Sequence, residues 1–183
     1  MEQTETKSLP KAGEADNPVS QPSMAGKHSD EMRSQWIGCY MSVSYPLKGI
    51  MVTSPYGQRK DPFTGKRSNH NGLDLRARNE EVYAMMPGEV VRVSFDKRSG
   101  NYVTIRHGDY TICYCHLSKA LVKKGAQVLP GEVVAISGNT GRSTGPHLHI
   151  TAKHGKKHID PAILLQFVRE TRAKALAHLV ADD

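Results

Sequence analysis

The sequence predicts a mainly β domain built of antiparallel hairpins, preceded by a disordered segment and closed by one C-terminal helix. Three observations carry this reading. Between Pro46 and about Asp160, short runs alternate apolar and polar residues, the pattern of strands with one buried face. Turn signals containing glycine or proline separate those runs. The runs V103-T-I-R-H107 and Y110-T-I-C-Y114 flank Gly108-Asp109, a two-residue hairpin signal.

Taken in order, residues 1 to about 35 are rich in Glu, Lys, Ser, Pro, Gln and Gly and almost free of large apolar side chains. Such a segment cannot bury enough surface to offset its ordering entropy, so disorder is expected. From Trp36 to Tyr45 the chain turns more apolar, as a lead-in strand or a segment docked on the domain; residues 1–45 are thus set apart from the β domain at 46–160. Within that domain the β-type runs are E81-V-Y-A-M-M86, E89-V-V-R-V-S-F95, Y102-V-T-I-R106, Y110-T-I-C-Y-C115, E132-V-V-A-I136 and L148-H-I-T-A152. Pro87-Gly88, S99-G-N101, H107-G-D109, Pro130-Gly131, G138-N-T-G141 and His154-Gly155 punctuate them. Residues 161–183 read as a helix that Asp160 caps and Pro161 opens. Ile163, Leu164, Phe167 and Val168 form its apolar face, extended by Leu176 and Leu179. The stretch from Ala173 onward is expected to be exposed or frayed.

With 183 residues the chain is the size of one domain plus extensions. The formal net charge of +7 suits an anionic partner: nucleic acid, an acidic membrane surface or a polyanionic cell wall. No run of Lys and Arg interleaved with aromatics supports specific nucleic-acid binding. No stretch approaches 18 apolar residues, which argues against a transmembrane helix. The N-terminus M1-E-Q-T-E-T-K-S-L-P-K lacks the apolar region of a secretory signal. Cys39, Cys113 and Cys115 do not make a disulfide framework. Cys113 and Cys115 flank Tyr114 in a strand-like run, so they share one face and read as buried small hydrophobes.

Chemistry concentrates in three strings: N69-H-N-G-L-D74, Y114-C-H-L-S118 and G145-P-H-L-H149. Imidazole nitrogen and carboxylate oxygen are the ligands that hold a catalytic zinc while leaving a position open, and histidines left over can do acid/base work beside it. His147 and His149 stand two apart in a strand and therefore project to the same face, one able to bind metal and the other to sit close by. His70 and Asp74 lie where a loop enters a strand, because Gly72 and the apolar Leu73 and Leu75 disfavour a helix. His116 reaches the open side of the metal if its strand packs beside that of His147 and His149. Of the other histidines, only His158 is kept in reserve as a ligand. No G-x-S-x-G supports a serine nucleophile. The chain reads as a metal-dependent hydrolase.

Together these strings carry a resemblance. S54-P-Y-G-Q-R59, D61-P-F-T-G65, H70-N-G-L-D-L75, Y114-C-H-L-S118, V128-L-P-G-E132 and S137-G-N-T-G-R-S-T-G-P-H-L-H149 resemble the lysostaphin-type (LytM-like) zinc endopeptidase domain, over about residues 46 to 163. The resemblance implies a compact antiparallel β domain with the metal groove on one sheet face. It implies one Zn²⁺ per chain held by His70, Asp74 and His149, with His116 and His147 as the unliganded catalytic pair. In that scheme His147 is the general base, and His116 stabilises the oxyanion or protonates the leaving amine. Peptidoglycan peptides are the implied substrate, cut in the cross-link or the stem, outside the cytoplasm. Cys115 departs from the family pattern, which has a small residue such as Ala there, and Met85-Met86 replaces a small polar run. The competing reading is a latent or non-catalytic wall-binding or regulatory module, its site blocked by the N-terminal segment through a residue such as Asn17 or Cys39.

Overall fold

Alternation and turn chemistry lay the chain down as successive hairpins. A computed structural model describes residues 24–181. Helix α1 (Met24–Met41) comes first, followed by β1 (Val52–Ser54), β2 (Gly57–Lys60), β3 (Arg67–His70) and β4 (Leu73–Arg76). Next come β5 (Glu81–Tyr83), β6 (Gly88–Asp96), β7 (Gly100–His107), β8 (Tyr110–Leu117) and β9 (Lys119–Ala120). The chain continues through β10 (Gln127–Val128), β11 (Val133–Ile136), β12 (His147–His154), β13 (Lys157–Ile159) and α2 (Ala162–Ala181). The main sheet runs β1-β4-β12-β8-β7-β6-β10, with β13 added beside β12. Two small sheets, β5-β11-β9 and β2-β3, flank it, and every pairing is antiparallel.

Period-two patterning separates the two faces of the main sheet. Leu148, Ile150 and Ala152 of β12, Ile112 and Tyr114 of β8, and Val103 and Ile105 of β7 are fully buried. They join Leu73, Leu75, Val90 and Val134 in one core. Truncating one of these large side chains to alanine costs about 2–5 kcal/mol. The alternate residues His147, His149, Thr151 and Lys153 of β12, Thr111, Cys113 and Cys115 of β8, and Tyr102 and Thr104 of β7 line a groove on the opposite face. Cys113 and Cys115 therefore share a face, as expected, but that face is the groove rather than the core.

One irregularity matters for the site. Asn101 pairs with Leu117 and Val103 with Tyr114, so two steps along β7 oppose three along β8. This bulge carries one extra residue and turns Cys115 and His116 to the groove side together. His116 adopts φ +59°, a left-handed conformation unusual for a residue with a side chain.

The N-terminal segment differs from the expectation. Residues 24–41 form a helix, not a disordered tail, and Trp36 to Met41 continue that helix as the docked segment of the two alternatives, not as a strand. Residues 1–23 lie outside the described residues, Asn17 among them. The helix is held by its partner: Trp36 stacks on His178 with ring centroids 3.9 Å apart, and the Arg172 guanidinium sits 4.6 Å from the Tyr40 ring. In α2, Asp160 caps as expected, its Oδ1 accepting the Ala162 N–H at 2.9 Å. The buried stripe is Leu164, Val168 and Ala175, whereas Ile163, Phe167 and Leu176 are exposed. Leu164 and Val168 of the expected apolar face are thus buried, with Ala175 added to them.

Candidate metal centre

Register brings the three strings to one place. His149 sits in β12 between Asp74 of β4 and Cys115 of β8, and the bulge swings His116 toward the same spot. His70 is the last residue of β3 and Asp74 the second of β4. Both are strand residues flanking a two-residue turn, where a loop histidine and a strand-start carboxylate were expected. His70 Nε2 lies 3.2 Å from His149 Nδ1 and 3.3 Å from Asp74 Oδ1. His149 Nδ1 lies 2.6 Å from Asp74 Oδ1. His147 Nε2 is 3.6 Å from the same carboxylate oxygen, and the His116 and His147 ring centroids are 4.8 Å apart. All five residues singled out in the sequence converge in the groove; His158 lines it as well.

Backbone carbonyls set the ring tautomers. A carbonyl only accepts, so His70 Nδ1 donates to Pro55 O at 2.7 Å, His116 Nδ1 to Thr140 O at 2.8 Å and His147 Nδ1 to Gly145 O at 2.8 Å. In the neutral ring each Nε2 is then a bare lone pair. Burial pushes the Asp74 carboxyl up, but the imidazoles of His149 and His70 beside it outweigh that and hold the group well below the usual carboxylate range. Burial lowers His149, against the opposing pull of Asp74. It also brings His116 down to about 4, despite the Thr140 carbonyl.

These donors fit a metal. A tetrahedral zinc with bonds near 2.0–2.1 Å spaces its ligand atoms about 3.3 Å apart, and two of the three separations in the His70–Asp74–His149 set match. The third is shorter because a hydrogen bond from His149 closes it. His70 Nε2 and Asp74 Oδ1 meet lone pair to lone pair, an arrangement a cation relieves. His116, His147 and His149 also bring ring nitrogens within 4.8 Å of one another. The set containing the carboxylate is the better cation site because it alone carries a negative charge.

Other residues shape the site whose roles the sequence had not assigned. Arg59 Nη2 stands 3.5 Å from Asp74 Oδ2, on the carboxylate oxygen that the histidines do not use. A Cβ on Gly72 would lie 2.5 Å from both His149 Cε1 and Ile150 O, so glycine is required for His149 to sit where it does. Ser143 Oγ donates to Gly145 O at 2.7 Å and lies 3.2 Å from His147 Nδ1, bracing the carbonyl that orients that ring. Arg142 binds both Asp61 oxygens at 2.9 Å and lies 4.5 Å over the Phe63 ring, tying the β2–β3 loop to the turn before β12 above the groove. The groove has a volume of about 590 Å³, enough for several residues of an extended chain.

Fold and site define a class: an antiparallel β domain whose groove ends in a histidine–aspartate centre able to hold a metal. The model of Peptidase family M23 matches residues 68–161, and the chain belongs to that family, in its lysostaphin (LytM) type. It is 46% identical over 110 residues to an uncharacterised metalloprotease of Haemophilus influenzae, covering 57% of this chain and 23% of that one. It is 47% identical over 94 residues to the peptidoglycan DD-endopeptidase ShyA of Vibrio cholerae, covering 50% and 22%. The chain thus spans about a quarter of the length of the curated relatives it matches. Among solved structures, a zinc-containing peptidase from Vibrio cholerae superposes with a TM-score of 0.60 at 38% identity, over 65% of this chain and 39% of that one. The catalytic domain of lysostaphin from Staphylococcus simulans gives 0.59 at 29% identity, over 64% and 92%.

Proposed function

We propose that this chain is a zinc-dependent endopeptidase that hydrolyses peptide bonds in bacterial peptidoglycan, acting outside the cytoplasm. The observation that carries the reading is the convergence of His70 Nε2, Asp74 Oδ1 and His149 Nδ1 within 2.6–3.3 Å of one another, with His147 and His116 beside them. His70, Asp74 and His149 would hold the zinc, which when bound supplies Lewis-acid activation of water.

The chain's own residues do the proton work. His147 has its Nδ1–H committed to Gly145 and a bare Nε2 3.6 Å from Asp74. It accepts the proton of the attacking water there. His116 rests neutral, since burial holds it at about 4. With Nδ1–H bound to Thr140, its Nε2 accepts but does not donate in the resting site. His116 therefore positions the water or the substrate amide N–H first, and serves as donor to the leaving amine only after gaining a proton. Direct donation to the oxyanion by the resting ring is the weaker of its two expected roles.

The latent-module reading receives no support from the described part of the N-terminal segment. Cys39 lies on α1, which packs against α2, and among the described side chains of residues 29–50 none lines the groove. The test is digestion of purified peptidoglycan by zinc-reconstituted full chain, with products read by mass spectrometry. Newly cleaved peptide bonds, abolished by a chelator and restored by zinc, are expected. A zinc-loaded chain that cuts nothing overturns the proposal. The masses also identify the bond.

A further inference from the structure

The groove holds a second group of metal-binding atoms that the peptidase reading does not use. Cys113 Sγ and Cys115 Sγ are 3.5 Å apart, on the groove face of β8. Tyr114 between them points into the core and is fully buried. Thr104 and Ser99 line the groove with them. An apolar filler position would turn these thiols toward Ile112 and Tyr114. They face instead a polar wall that includes the Asp96 carboxylate and Lys153.

Two chemistries suit a thiol pair, and the strand discriminates between them. A disulfide requires sulfurs about 2.05 Å apart and Cβ atoms about 3.5–4.5 Å apart, while alternate residues of a strand repeat at about 6.6 Å. The register of β8 with β12 is unbroken from Cys115 to Tyr110, so drawing the two backbones together would break that ladder. A tetrahedral cation with metal–sulfur bonds near 2.3 Å spaces its thiolates about 3.8 Å apart, within a few tenths of an ångström of the observed separation. Chelation needs only a small side-chain adjustment.

We propose that Cys113 and Cys115 form a second, dithiolate site on the groove floor for a soft divalent cation of the zinc and cadmium class, with solvent completing the coordination. Each thiol gives up its proton to solvent as its sulfur binds, so one divalent ion releases two protons and leaves the site neutral. Thiolate ligands select such ions over magnesium or calcium. An ion here sits beside Cys115, the strand partner of His149, on the surface that a groove-bound peptide would cover. The site itself does not depend on the chain being a peptidase.

Cadmium added to the zinc-loaded full chain tests this, because a cadmium–thiolate bond gives an ultraviolet charge-transfer band that imidazole and carboxylate ligands do not. The band should grow to saturation at one cadmium per chain in the wild type and in Cys39→Ser. It should be lost in the C113S/C115S double variant, whose retained zinc reports an intact His70–Asp74–His149 centre. Cys113→Ser alone, at the more exposed position, should weaken the band and serves if the double variant does not fold. Absence of the band in the wild type, or its persistence in the double variant, overturns the proposal.

Discussion

Arg59 and Asp74 form an ion pair of 3.5 Å on the carboxylate oxygen that faces away from the histidines. The guanidinium thereby orients Oδ1 toward His70 and His149. Partners that orient a ligand in this way typically carry about 10- to 100-fold in metal affinity or activity. Arg59→Met should weaken zinc binding by that order, measured by competition with a chromophoric chelator. Unchanged affinity and activity would mean the pair has no orienting role.

Replacing the two strand histidines should separate their jobs. His149→Ala is expected to lose zinc. His147→Ala should keep zinc while hydrolysis falls by roughly 100- to 10,000-fold, the usual contribution of a general base. Metal content and peptide hydrolysis, measured on the same preparations, decide the matter. Equal loss of metal in both variants would contradict the division.

Gly72 presses against the site rather than lining it. In Gly72→Ala the new methyl meets the His149 ring and the Ile150 carbonyl, contacts that force β12 and β4 apart. A loss of about 1–3 kcal/mol is expected, together with weaker zinc binding. Calorimetry and metal titration report the two effects, and a variant with wild-type stability and affinity would show that the strands yield without cost.

His107 supplies a pH signature remote from the metal. It is buried, its Nδ1 donates to Pro87 O at 2.9 Å, and its Nε2 is buried without a hydrogen-bond partner among the described residues. Burial lowers its pKa in the folded protein, whereas the unfolded chain titrates near 6.5. Above about 6.5 both states are neutral and nothing is lost. As pH falls from there toward the folded pKa, the unfolded state binds more protons and stability drops. Melting temperatures of zinc-loaded wild type and His107→Gln should diverge in their slope between about pH 7 and 5, the variant being flatter. Parallel slopes would remove His107 as the cause.

Much of this was legible because strand side chains repeat every two residues. That period alone placed His147 beside His149 and separated both from Leu148 and Ile150. Asp160 and Pro161 likewise marked the start of α2 through chemistry local to the turn. Helix α1 was hidden because its anchors, Trp36 and Tyr40, gain their partners from His178, Lys174 and Arg172 of α2, more than 130 residues away along the chain. Of the expected inward face of α2, Leu164 and Val168 are buried, whereas Ile163 and Phe167 are exposed and small Ala175 is buried in addition. Arg59 and Ser143 lie in strings that carried the resemblance, but they act on another side chain and on a carbonyl, contacts that those strings do not spell out.

The extra residue in β8 changes the parity of the strand. Tyr114 and Leu117 both reach the core although three positions separate them, so one hydrophobic phase ends at Tyr114 and a second begins at Leu117. His116 occupies the slack between the two. The length of this strand is therefore as much a part of the site as its histidine. Removing one residue at 115–116 would restore a regular ladder and yet carry the imidazole out of reach, a loss that no substitution at position 116 could repair.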